Sequence, residues 1–313
     1  MVTGFLTEKM RKVHWPNGKK FAFTIVDDTD DATFNNIKCI YSYLTELGLR
    51  ITKTVWPLNV DAGSHYESSE TLQDEVYRNF ILELRESGHE IAIHGVRGCS
   101  SNREMIASGL ACYLEIFGKY PRVHINHAQN LDNLYWGNEW IPKWKKWFRT
   151  YPEMGTGYGH IENSAYFWGD LARDTIQYVR GYVFNKGNTL EADPYMPYHD
   201  PGMPYVNGWF SGSNGDGLSR LLYLTSRENI SDLEANHGAC IVYTHFGDPF
   251  YTENGEVKSE LKFNLQELSK RDGWFVPVGQ LLDYLGDGKL TRINQVQRAW
   301  LDMKYTNDLK KQQ

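Results

Sequence analysis

The first apolar run of the chain, Phe21-Ala22-Phe23-Thr24-Ile25-Val26, ends in two adjacent carboxylates, Asp27 and Asp28. A short, β-rich run between polar flanks reads as a buried strand, so the pair stands at a strand's C-terminal tip. Carboxylates this close raise one another's pKa. A bound cation offsets the repulsion and leaves one of the two free to take a proton. The competing reading is a solvated turn, because Asp is a common turn residue.

Other groups able to bind metal or move protons follow other strand-like runs. His94 ends the run 90–93, His124 and His127 lie in and after 122–126, and His245 follows 239–243. A lone histidine at a strand end is more often structural than catalytic. A parallel β/α barrel, however, gathers the C-terminal ends of its strands on one face, where active sites form. His89-Glu90-Ile91-Ala92-Ile93-His94 is not a zinc-protease helix. That chemistry needs two histidines four residues apart on one helical face. Here the spacing is five in a strand-like run, which sets the imidazoles ~16 Å apart. His94 is the candidate, and His89 begins the strand at the wrong end.

The elements that must position these groups alternate between the two periodicities, which predicts a parallel β/α architecture. Helices are expected over 32–47, 70–87, 102–117, 258–270 and 278–285. Gly48, Gly88 and Gly118 stand where C-caps would. Strands are expected over 50–56, 90–93, 122–126, 175–184, 239–243 and 274–276. The segment 185–217, dense in Pro, Gly, Asn and Tyr, reads as a long functional loop, and the tail from 291 to 313 as a peripheral helix. The whole chain, 1–313, reads as one domain with its barrel over about 20–286.

Composition narrows the function classes. The 313 residues are 41% hydrophobic and 23% charged, ordinary for a globular chain. The net charge of -6 argues against a nucleic-acid partner. No apolar stretch reaches the ~18 residues of a transmembrane segment, and the N-terminus lacks an apolar signal region. Cys39, Cys99, Cys112 and Cys240 form no CxxC pair, which fits buried thiols in a reducing compartment. The expectation is a cytoplasmic protein.

Val26-Asp27-Asp28-Thr29 resembles the first motif, TFDDG, of the polysaccharide deacetylases, the NodB-homology or carbohydrate esterase family 4 group. Ser87-Gly88-His89-Glu90-Ile91-Ala92-Ile93-His94 resembles their second motif, a GHEIGxH run leading into HTxxH. Ile241-Val242-Tyr243-Thr244-His245 is similar to their last motif, a strand ending in LxH. Trp274 to Val278 with Leu281 to Leu285 resembles their closing strand and helix. The resemblance implies a distorted (β/α)7-type barrel and metal-dependent hydrolysis of the amide of an N-acyl amino sugar. It implies Asp27 as general base, Asp28 and His94 as ligands of one divalent ion, and His245 as general acid. Zn²⁺ suits His and carboxylate ligands.

Two positions depart from the family pattern. The second-motif histidine expected four residues after His94 is Gly98, and the third-motif arginine is absent; Arg97 and Arg122 are candidates to replace it. His127 is the expected third metal ligand. Val123 and Ile125 are expected to face outer helices, with His124 and Asn126 facing inward and His127 at the strand end. His124, Asp30 and Asp31 are the alternatives. With no export signal, the expected substrate is an amino sugar that is nucleotide-linked, lipid-linked or part of a surface polysaccharide such as an O-antigen precursor, carrying acetyl or formyl. Trp209, Tyr198 and Tyr205 are candidate sugar contacts, with a packed aromatic cluster as the competing reading. The rival functions are a non-catalytic carbohydrate-binding protein on a decayed barrel and a hydrolase of a non-sugar amide.

Overall fold

The run Phe21–Asp27 is buried along its whole length, as a parallel strand covered on both faces must be. In the computed structural model, which describes residues 12–137 and 155–309, this strand (β1) opens a closed barrel of seven parallel strands. The others are β2 (Thr52–Val55), β3 (Glu90–Ile93), β4 (Val123–His124), β5 (Tyr178–Phe184), β6 (Gly208–Asn214) and β7 (Ala239–Thr244). Each pairs with the next, and β7 closes on β1. The barrel is distorted where it closes. One edge of β1 is shared, with β2 pairing at Val26–Asp27 and a further strand, β8 (Gly273–Phe275), pairing at Phe21–Phe23.

Helices α1 (Phe34–Glu46), α2 (Glu75–Glu86) and α3 (Arg103–Phe117) follow the first three strands. The starts of α1 and α3 are written in the sequence. Thr33 and Asn36 form a capping box on α1, and the Asn102 side chain accepts from the Met105 N–H at the start of α3. Gly118 ends α3 in the left-handed conformation. Among the described residues no helix is long and apolar enough to cross a membrane.

The segment 185–217 is not the long loop expected. It contains a helical turn (Thr189–Ala192), a short strand (Tyr198–His199) and the whole of β6. The sequence of β6, Gly-Trp-Phe-Ser-Gly-Ser-Asn, lacks β-branched residues and so carries little strand signal. The first of its two glycines meets a close neighbour instead: a Cβ on Gly208 would lie 2.9 Å from the Tyr178 ring. The tail is also more integrated than a peripheral helix. Thr291–Arg292 pairs with Tyr198–His199, and the helix Gln295–Leu309 buries Leu301. Its Asp302 accepts from the Tyr182 hydroxyl at 2.7 Å, and its Asp308 from the Asn185 N–H at 2.7 Å.

Candidate active site

Register brings the strand ends together. Asp27 pairs with Thr244 and with Lys53, and Ile93 with His124. Asp28, His94, His127 and His245 therefore stand at one rim, as do the turns that follow them.

The turn after β1 folds back over the barrel mouth. Asp31 adopts φ 55°, and the Asn36 amide donates to the carbonyls of Asp31 (2.8 Å) and Gly247 (3.0 Å). Gly247 is required by this packing, because a Cβ there would lie 2.4 Å from the Asp30 carbonyl oxygen. The turn delivers the Asp30 carboxylate between two imidazoles. Asp30 Oδ1 lies 3.3 Å from His94 Nε2, and Oδ2 lies 3.5 Å from His127 Nε2. Burial would raise the Asp30 pKa, but His94 and His127 outweigh it and hold the carboxyl below the usual carboxylate range.

This trio fits a divalent cation. A tetrahedral ion with bonds of about 2.0–2.1 Å spaces its ligand atoms about 3.3 Å apart, close to the two distances above. His94 Nδ1 donates to the Ile125 carbonyl at 3.2 Å, which leaves Nε2 with a lone pair facing Asp30. Both ring nitrogens of His127 and Oδ1 of Asp30 are buried without a hydrogen bond, a cost that an ion held by Nε2 and the carboxylate would lower. His124 is different. Its Nε2 meets Asn126 Oδ1 at 3.2 Å, its ring packs edge-on to Trp168, and burial pushes its pKa down to about 3. It is a packed neutral histidine outside the trio.

Gly98 does not leave an empty ligand position. A Cβ there would lie 2.6 Å from the Trp56 ring, whose indole N–H donates to the His94 carbonyl at 2.8 Å. A histidine has no room at 98, and the cluster instead draws His127 from the neighbouring strand. Gly98→Ala is expected to cost about 1–3 kcal/mol through overpacking without changing metal content. Denaturant unfolding beside metal analysis checks this; wild-type stability would contradict it.

The two adjacent aspartates have different surroundings. Asp27 is wholly buried and faces α1. Its Oδ2 accepts from the Tyr41 hydroxyl (2.7 Å) and pairs with Lys53 Nζ (2.8 Å), and its Oδ1 accepts from the Phe246 N–H (2.6 Å). With those partners it is not the carboxylate that faces the trio. Asp28 is. Its Oδ2 lies 3.6 Å from His94 Nε2, and the Arg180 guanidinium grips both oxygens at 3.0 and 2.5 Å. Burial would raise the Asp28 pKa, but Arg180 and the nearby histidines lower it on balance. Arg180, from the middle of β5, is the arginine that reaches the site. Arg97 and Arg122 do not: Arg97 binds Asp61, and Arg122 binds Asp283 from the N-terminal end of β4.

His245 faces Asp28 and Asp30 across the rim. Its Nδ1 donates to Asp216 Oδ1 at 3.0 Å, and its Nε2 lies 3.7 Å from Asp30 Oδ2. Burial opposes the charged ring, yet Asp216, Asp28 and Asp30 outweigh it and push the pKa up to about 9. Asp216 and Arg180 were not among the residues expected. Asp216 follows a strand that reads as loop. Arg180 leaves a signal, a lone cation in the interior of an otherwise apolar strand.

The expected sugar contacts do not gather here. Trp209 and Tyr198 are fully buried. Trp209 lies at the far end of β6 from Asn214, ~16 Å along the strand. The half-buried Tyr205 gives its hydroxyl to Glu162 and packs edge-on to Phe167. These aromatics are packing.

No family model and no curated protein matches the sequence. Solved structures do match. A probable polysaccharide deacetylase from Pseudomonas aeruginosa PAO1 aligns over 88% of this chain and 93% of its own, with TM-score 0.53 and 10% identity. The chain has the polysaccharide-deacetylase fold. The Puue allantoinase shares this deacetylase-type barrel, with TM-score 0.52, 12% identity and the same coverage of 88% and 93%. At such identities the likeness is one of fold, and the deacetylase-type barrel is common to both neighbours.

Proposed function

We propose that the protein is a metal-dependent hydrolase that removes an acyl group from the nitrogen of an amino sugar. The observation that carries this reading is the meeting at one rim of an arginine-held carboxylate, the Asp30–His94–His127 trio and a carboxylate-paired imidazole. The neighbour described as a probable polysaccharide deacetylase supports the carbohydrate class.

The trio would hold one divalent ion, Zn²⁺ by its donor set. When bound, such an ion supplies Lewis-acid polarisation of the amide carbonyl and lowers the pKa of water. Asp28 is the general base in place of Asp27. Arg180 keeps its carboxylate ionised and fixes its orientation while it takes the proton of the attacking water. His245, held by Asp216, gives its Nε2 proton to the departing nitrogen as the C–N bond breaks. The products are a short carboxylic acid and a free amino sugar. The acyl group is acetyl or formyl, and the sugar belongs to a surface-polysaccharide or O-antigen precursor in the cytoplasm.

The test is acid release from N-acetyl and N-formyl amino sugars, free and nucleotide-linked, by the Zn²⁺-loaded protein. Release of acetate or formate that stops on chelation and returns with added Zn²⁺ is expected. Cleavage of cyclic ureides alone would assign a non-sugar amide. Sugar binding without turnover would assign a binding protein.

A further inference from the structure

Tyr243 occupies the position of the leucine in the LxH pattern, two residues before His245. Its side chain lies between the two halves of the site. The Arg180 guanidinium sits over its ring face, 4.4 Å from the centroid, and the His245 ring meets it edge-on at 5.0 Å. Its hydroxyl lies 3.4 Å from His245 Nε2, the nitrogen that faces the trio. A leucine could fill this space but could neither hydrogen-bond to the imidazole nor offer a ring face to the guanidinium.

We propose that Tyr243 is a positioning residue that aims the His245 acid and follows its change of protonation. The inference rests on the reading of His245 as general acid. While Nε2 carries its proton, the phenol oxygen and the departing nitrogen share it. When the proton passes to the departing nitrogen and the C–N bond breaks, Nε2 becomes an acceptor. The phenol O–H then turns to donate to it. One hydroxyl serves both states because it is donor and acceptor, and no heavy atom has to move. The Asp216 contact cannot do this, since it addresses Nδ1. The ring acts separately from the hydroxyl. Its face holds Arg180, which in turn grips Asp28.

The test compares Tyr243→Phe with Tyr243→Leu on the N-acyl amino sugar that the wild type cleaves and on 4-nitrophenyl acetate. The ester's leaving group needs no proton. Tyr243→Phe is expected to lower kcat on the amide about tenfold, the scale of one hydrogen bond, with KM and ester turnover unchanged. Tyr243→Leu is expected to lower turnover of both substrates. In ¹⁵N-histidine-labelled protein, the His245 Nε2 resonance should shift in Tyr243→Phe while Nδ1 stays put. Wild-type amide turnover in Tyr243→Phe, or equal losses on both substrates, would overturn the proposal. So would an unmoved Nε2 resonance. A wild type inactive on every amino sugar would count against the proposed function, and the resonance would still decide the role of Tyr243.

Discussion

Asp28→Asn is expected to lower kcat by about 10²–10⁴-fold, the range for losing a general base, while the protein keeps its metal. The asparagine has nearly the volume of the carboxylate, and its amide oxygen still accepts from Arg180. It cannot take a proton from water. Asp28 is not one of the trio whose ligand atoms converge, so metal content should survive the change. Steady-state kinetics beside metal analysis reads both quantities. Wild-type turnover would remove Asp28 from the mechanism, and loss of metal would make it a ligand.

Asp27→Asn should act on the fold instead. Lys53 and Asp27 are both wholly buried, 2.8 Å apart. Burial disfavours the Lys53 charge, but Asp27 outweighs it and holds the lysine pKa above its usual value. Removing the carboxylate leaves that ammonium uncompensated, at a cost of about 3–5 kcal/mol. It also weakens the clamp on the Phe246 N–H, next to His245. Adding Lys53→Met should recover part of the loss, because the double variant buries no unpaired charge. Urea unfolding of the wild type, the single variant and the double variant measures this. A single variant as stable as wild type but inactive would return the base to Asp27.

The contrast between these neighbours shows what the sequence could tell. The strand ends were legible because short apolar runs stop at polar groups, and His94, His127 and His245 all reach the rim that the barrel topology implies. Which aspartate faces inward was legible too, but through the alternation rather than the motif. Phe21, Phe23, Ile25 and Asp27 share one face of β1, and Tyr41 of α1 meets Asp27 there. Ala22, Thr24 and Val26 share the other with Asp28, which reaches Arg180 across the barrel. The alternation that set His124 and Asn126 inward, applied to β1, turns Asp27 outward.

The remaining features depend on contacts distant in sequence. Asp30 joins the imidazoles only because Asp31 adopts a left-handed conformation and Asn36 and Gly247 hold the turn closed. Arg180 reaches Asp28 from β5, while Arg97 and Arg122, the expected candidates, pair with Asp61 and Asp283. Asp216 follows a strand whose glycines and serines hide it until packing against β5 and β7 is seen.

Bound metal per chain in the wild type and in Asp30→Ala, His94→Ala, His127→Ala and His124→Ala, measured on protein purified without chelator and reloaded with Zn²⁺, tests the central claim most directly. One equivalent is expected in the wild type and in His124→Ala, with occupancy lost in the other three. A wild type that binds no metal, or Asp30→Ala and His127→Ala variants that keep a full equivalent, would contradict the account.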